Sequence, residues 1–287
     1  LNSCFGKKPM KISLAFFAAI LGTVASFGGT FNTSGYGRTT TLVCSGYSGA
    51  SSLVNFPVLV KFATNRVDQF NYRDFNNQAT DLRFTDADGN EIPYEIDTWN
   101  TNGTSAVWVS APSLTSATTL HAYWNNAAAA KPAYTTNGTV WASNSYVSVW
   151  HLNEAINPIT DSTTNKINGT RGSAMYASAS GLIGGAQLGS SSLSSYIETS
   201  VCYSKFASIS NFTFSGWIKG SPSLNGQRLL SSKVIYSDNG LDIFTIKNAD
   251  NSYSIGARGS GNALRIDHPL AATGLPNTWL HLAFVYN

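Results

Sequence analysis

A chain of 287 residues that is 43% apolar and only 11% charged can bury a large core, which excludes a disordered polypeptide. Its formal charge of +3 disappears when the first 27 residues are set aside, because removing Lys7, Lys8 and Lys11 leaves 15 basic against 15 acidic residues. A neutral chain has no general attraction for phosphate backbones or anionic lipids, so nucleic acid and the membrane surface are excluded as partners.

The first 27 residues read as a signal peptide with upstream residues. Met10-Lys11 precedes an apolar run from Ile12 to Val24, and small residues follow. The run is shorter than the roughly 20 residues a membrane span needs, so no membrane span is expected after cleavage between about Val24 and Gly29. Residues 28–40 form a polar linker. A first domain is then expected over 41–126, with strands at Thr41–Ser45 and Phe56–Phe62 and an antiparallel meander from Asp81 to Trp108. Within it Asp88-Gly89-Asn90 and Asn102-Gly103 supply tight turns, and Ile92–Trp99 and Val107–Ser110 supply strands. Leu120–Trp124 closes the domain, and residues 127–139, with Lys131-Pro132 inside, read as a linker.

A second domain is expected over 140–287. Its strands are Tyr146–Leu152, Ser195–Glu198, Phe212–Ile218, Leu229–Ser232, Leu241–Lys247, Ser252–Arg258 and Trp279–Tyr286. The chain stops directly after the last of these, so this domain reads as C-terminally truncated, with further domains of a longer protein to follow. The fold class is therefore all-β, two β-sandwich, jelly-roll-like domains in tandem after a signal peptide.

The first domain resembles a bacterial secreted family of unknown function in Phe56-Pro57-Val58-Leu59-Val60, Asp81-Leu82-Arg83-Phe84-Thr85-Asp86, Pro93-Tyr94-Glu95-Ile96 and Val107-Trp108-Val109. Tyr123-Trp124-Asn125-Asn126 is similar to that family's closing motif, with Asn125 in place of its glycine. The second domain resembles a laminin-G-like, concanavalin A-type lectin/glucanase jelly roll. The residues concerned are Val149-Trp150-His151-Leu152-Asn153-Glu154, Asp161-Ser162-Thr163, Gly181–Ala186, Phe212–Trp217 and Trp279-Leu280-His281. The two resemblances imply an extracellular or cell-surface protein with a binding role.

Candidate sites are sparse. Glu95-Ile96-Asp97 places two carboxylates on one side of a strand, as in glucanases, but Thr98, Trp99 and Asn100 stand where a further acid is needed. They read as solvated carboxylates, and no catalytic residue is assigned. Asp86, Asp88 and Asn90 alternate like calcium ligands, but Glu91 replaces the required glycine and a hairpin turn explains them. Structural calcium is placed instead at Asp161 with Asn168, in a polar loop that also offers Ser162 and Asn165; the alternative is an Asp-initiated turn. No other cofactor is required. His151 and Glu154 would face opposite sides of a strand unless the strand ends between them, and His121, His268 and His281 lack carboxylate or cysteine partners at ligand spacing, so all read as packing or surface histidines. Cys44 and Cys202 are either one disulfide or two buried thiols. The sequons at Asn102, Asn137, Asn168 and Asn211 have meaning only in a eukaryotic host.

Sugars stack on exposed aromatic rings, and Trp99, Tyr176 and Tyr236 lie beside polar turn residues, so they are the candidate ligand-binding residues. The sequence thus points to a non-catalytic carbohydrate or cell-surface polymer binder. A structural or adhesive protein with protein partners is the alternative, and a polysaccharide hydrolase the third reading.

Overall fold

A computed structural model describes residues 14–16, 31–65, 70–178, 181–190, 192, 194–199, 211–220, 228–231, 242–248, 253–258, 265–269 and 278–286. Its regular structure is almost entirely strand, with short 3-10 turns, so the all-β class holds. The chain divides into two compact units, Leu1–Thr199 and Ser200–Asn287, a boundary well beyond the expected linker at 127–139.

In the first unit the strands are β1 (Leu14–Phe16), β2 (Arg38–Cys44), β3 (Leu53–Phe62), β4 (Arg83–Thr85), β5 (Glu91–Ile92), β6 (Tyr94–Thr98), β7 (Ser105–Leu114) and β8 (Thr119–Trp124). Short pieces follow: β9 (Thr170–Arg171), β10 (Tyr176–Ser178), β11 (Ala186–Leu188) and β12 (Ile197–Glu198). Two antiparallel sheets, in the orders β1-β2-β8-β4-β5 and β3-β7-β6, face each other across one apolar core. β1 comes from the apolar run read as a signal and pairs with the Leu42–Cys44 end of β2, at the sheet edge.

The alternation read in the sequence builds this core. Val58, Val60 and Phe62 from β3, Val107 and Val109 from β7, and Leu42, Phe84, Leu120 and Trp124 from the facing sheet are all buried. The hairpin at Asp86 forms as expected: its Oδ1 accepts from the Asp88 and Asn90 amides at 3.0 and 2.8 Å, and Gly89 takes φ 81°. Asn125 adopts φ 64°, a left-handed conformation that glycine takes without strain and asparagine tolerates, which explains why it can stand in place of a glycine.

The expected linker is tied down. Arg83 donates to the Ala130 carbonyl, and Tyr134 donates to Glu91 Oε1 at 2.5 Å. Tyr146–Leu152 does not form the expected strand; only Trp150 makes a bridge, to Asp161, and Leu152 sits at φ 62°. The His151 side chain bonds across to β6, and the Val149 amide donates to Asp161 Oδ1, which replaces a ladder of backbone pairs.

In the second unit β13 (Phe212–Lys219) runs against β18 (Trp279–Tyr286) over eight register pairs. β14 (Arg228–Ser231), β15 (Asp242–Lys247), β16 (Tyr253–Arg258) and β17 (Arg265–Pro269) form an antiparallel sheet, of which β17 was not foreseen. Phe214, Leu282 and Phe284 of the pair and Ile243, Ile255 and Ala257 of the sheet line a common cavity of about 140 Å³.

Candidate functional site

β6 has two different faces. Tyr94 and Ile96 turn into the core, so Glu95 and Asp97 must turn outward, beside Trp108 of β7, whose neighbours Val107 and Val109 also face inward. A solvated strand would leave these carboxylates in water. Instead Trp141, His151, Asn153 and Ser162 of the same unit lie over them, and the Asp97 side chain is only 2% exposed.

His151 fills the gap between the two acids. Its Nδ1 lies 3.1 Å from Asp97 Oδ2 and its Nε2 lies 3.1 Å from Glu95 Oε1. Indoles supply further donors: Trp108 Nε1 reaches Asp97 Oδ2 at 3.1 Å, and Trp141 Nε1 reaches Glu95 Oε2 at 2.6 Å. Ser162 donates to Glu95 Oε1 at 2.5 Å, while Thr98 and Asn153 donate to Asp97 Oδ1 at 3.0 and 3.1 Å. The His151 ring lies nearly parallel to that of Trp108, with centroids 6.2 Å apart. Gly184 closes one side, where a Cβ would meet Thr98 Oγ1 at 2.1 Å.

Burial alone would discharge His151, whose side chain is 11% exposed. The hydrogen bonds and charges of Asp97 and Glu95 outweigh that penalty and push its pKa up to about 9. Desolvation likewise works to raise the Asp97 pKa, but bonds from His151, Trp108 and Thr98 hold it below the usual carboxylate value. At neutral pH the cluster is therefore an imidazolium donating one N–H to each of two carboxylates.

Chemically this is a closed arrangement. Ser162 donates to Glu95, so it has no general base in His151, and the carboxylate oxygens already accept several protein donors. The two ring nitrogens point to different acids, not to one shared point. Among the described residues no group of three or more His, Cys, Asp or Glu side chains is arranged to hold a metal ion. The expectation of solvated carboxylates at Glu95 and Asp97 is corrected, and so is that of a merely packed His151. The sequence placed Glu95 and Asp97 on one strand face but carried no signal that His151 and Trp141 would cover them.

The calcium expectation at Asp161 and Asn168 does not fit the donors present. Asp161 is 0% exposed, and its Oδ1 accepts from the Val149 and Thr163 amides, both at 2.9 Å. Oδ2 accepts from Thr163 Oγ1 and the Ile167 amide, both at 2.8 Å. Asn168 Oδ1 accepts from the Asp161 amide at 2.9 Å. Hydrogens point at these oxygens where a cation would have to sit, so the Asp-initiated turn is what forms.

Of the candidate ligand-binding aromatics, Trp99 is half-buried against the core, within 4.9 Å of Phe75 and 5.3 Å of Tyr72 between ring centroids. Its polar sequence neighbours concealed that packing. Tyr176 is 59% exposed on β10, and Tyr236 lies outside the described residues. Cys44 is a free, buried thiol with its pKa pushed up to about 11 by desolvation, and Cys202 lies outside the described residues.

The cluster straddles a boundary that sequence comparison makes visible. Residues 78–143 match the model of a family described as Domain of unknown function (DUF2341). The DUF2341 match contains Glu95, Asp97, Trp108 and Trp141, whereas His151, Asn153 and Ser162 come from the chain that follows it. No curated protein and no solved structure matches the chain. No helix among the described residues is long and apolar enough to cross a membrane.

Proposed function

We propose that the chain is a secreted or cell-surface, non-catalytic binding protein that takes carbohydrate. The observation that carries this reading is the set of aromatic side chains left at the surface of polar strands. Trp217 is 43% exposed on β13, its ring 5.0 Å from that of His281, with Thr213, Ser215 and Lys219 at alternating exposed positions beside it; Tyr176 and Tyr196 are exposed in the first unit. Rings flanked by hydroxyls and an ammonium suit the CH faces and hydroxyls of a sugar.

The laminin-G-like reading of the second domain has support in the register, since Phe212–Trp217 and Trp279–His281, two of the motifs behind it, lie in the paired strands β13 and β18, where Trp217 faces His281. Cleavage of a signal after Val24 would remove β1 and leave β2 as the sheet edge. The adhesive alternative draws on exposed Val285 and Tyr286 on β18, apolar side chains suited to a protein partner. A glycan-array screen of the full chain, with and without chelator, tests the reading. Chelator-independent binding of a glycan class supports it, and no glycan bound while a protein partner is captured reproducibly favours adhesion.

A further inference from the structure

Residues 139–178 are held to the first sandwich by means other than its core. Val140, Trp141, Ile159 and Ile167 are buried, yet none belongs to the apolar cluster shared by the two sheets. Across the outer face of β6 and β7 one contact is aromatic, Trp141 edge-on to Trp108 with ring centroids 5.4 Å apart, and the others are polar: His151 to Glu95 and Asp97, Trp141 and Ser162 to Glu95, and Asn153 to the Asp97 carbonyl at 2.7 Å. Asn144 adds one bond to the Asn55 carbonyl of β3 at 2.7 Å.

We propose that His151, seated between Glu95 and Asp97, is a protonation-dependent latch that holds residues 139–178 on the outer face of β6 and β7 and releases them at alkaline pH. Every bond the imidazolium makes is to a carboxylate of β6. The other groups packed on it or on its two acids are uncharged: the indoles of Trp108 on β7 and Trp141 on the preceding turn, the Ser162 and Thr98 hydroxyls, and the Asn153 amide. Glu154, three residues along, turns its Oε1 to the Thr160 amide instead. When the ring loses a proton, one of its nitrogens becomes an acceptor facing a carboxylate oxygen, and two buried anions face each other with no cation between them. Local opening then relieves the repulsion without exposing the core, because the core lies on the other side of β6.

The His151 pKa is raised from 6.5 to about 9 in the closed state, so the latch is fully set below about 6.5 and is lost as the pH climbs through about 9. Subtilisin digestion of the full chain at pH 6 and pH 10, with rates divided by those for an unstructured peptide at the same pH, reads the opening directly. Cuts within residues 144–160 should accelerate on the order of 100-fold between the two pH values, while β3 and β7 stay intact. His151→Gln should be cut quickly at both pH values with no step between them, and Asp97→Asn should move the midpoint of the step to lower pH. A normalised rate that does not change with pH, a step that survives in His151→Gln, or cuts in β3 and β7 that rise in parallel would each overturn the latch.

Discussion

The two faces of β6 are built on opposite principles. On the inner face Tyr94 and Ile96 join an apolar core whose cohesion depends on area and fit; on the outer face Glu95 and Asp97 are buried against a cation, indoles and hydroxyls. The inner face is indifferent to pH. The outer face binds through groups that titrate, so one strand carries a permanent contact and a conditional one. Buried ion clusters contribute little net stability over apolar packing, but they are costly to break one partner at a time, which suits a joint between the segment that matches a family model and the chain that follows it.

The largest effects should come from cutting either face, with different pH signatures. Phe62→Ala should destabilise the first unit by about 3–5 kcal/mol, equally at pH 6 and pH 10. Asp97→Ala should cost a comparable amount, on the order of 3–5 kcal/mol at pH 6, because His151 is left charged and half-partnered; the loss should shrink at pH 10. Urea melts of the full chain at both pH values separate the two. Equal pH dependence would erase the distinction between the faces.

His151→Gln should remove a smaller, purely pH-linked part. The histidine contribution is present in full below about pH 6.5, falls as the pH rises through about 9, and amounts to on the order of 3 kcal/mol. Wild type and variant stabilities should therefore converge as the pH goes from 6 to 10. Parallel curves would show that the ring acts by packing alone.

How much of this was legible in the sequence depends on which side of a strand is considered. Val58, Val60, Phe62, Val107 and Val109 announced the inner face by strict alternation, and the Asp88-Gly89 turn announced its hairpin. The outer cluster was not legible, because Glu95 and His151 are 56 residues apart and only the tertiary path brings them together. Trp99 misled for the opposite reason: Asn100 and Asn102 follow it in the chain, but its ring turns back to Phe62, Tyr72 and Phe75. Asp161 was singled out as a calcium ligand, with an Asp-initiated turn as the alternative, because the sequence does not say whether N–H groups or a cation will face a carboxylate.

That anchor provides the next test in size. Asp161→Asn replaces an acceptor with a donor opposite two N–H or O–H groups, which should cost about 1–3 kcal/mol and loosen residues 149–167. Added calcium or chelator should leave the wild-type melting temperature unchanged; a calcium-dependent rise abolished in this variant would revive the metal site. The smallest effect belongs to Tyr176→Ala. Exposed as it is, its loss should change stability by less than about 0.5 kcal/mol while reducing any glycan binding detected on the array.

The latch requires His151 to carry a proton between two buried carboxylates at neutral pH. An NMR titration of the full chain labelled at histidine ring nitrogens measures this without any substitution. One imidazole should stay doubly protonated through pH 7 and titrate near 9, in contrast to His121 and His281, whose burial lowers their values below 6.5. Four histidines all titrating at or below about 6.5 would contradict it.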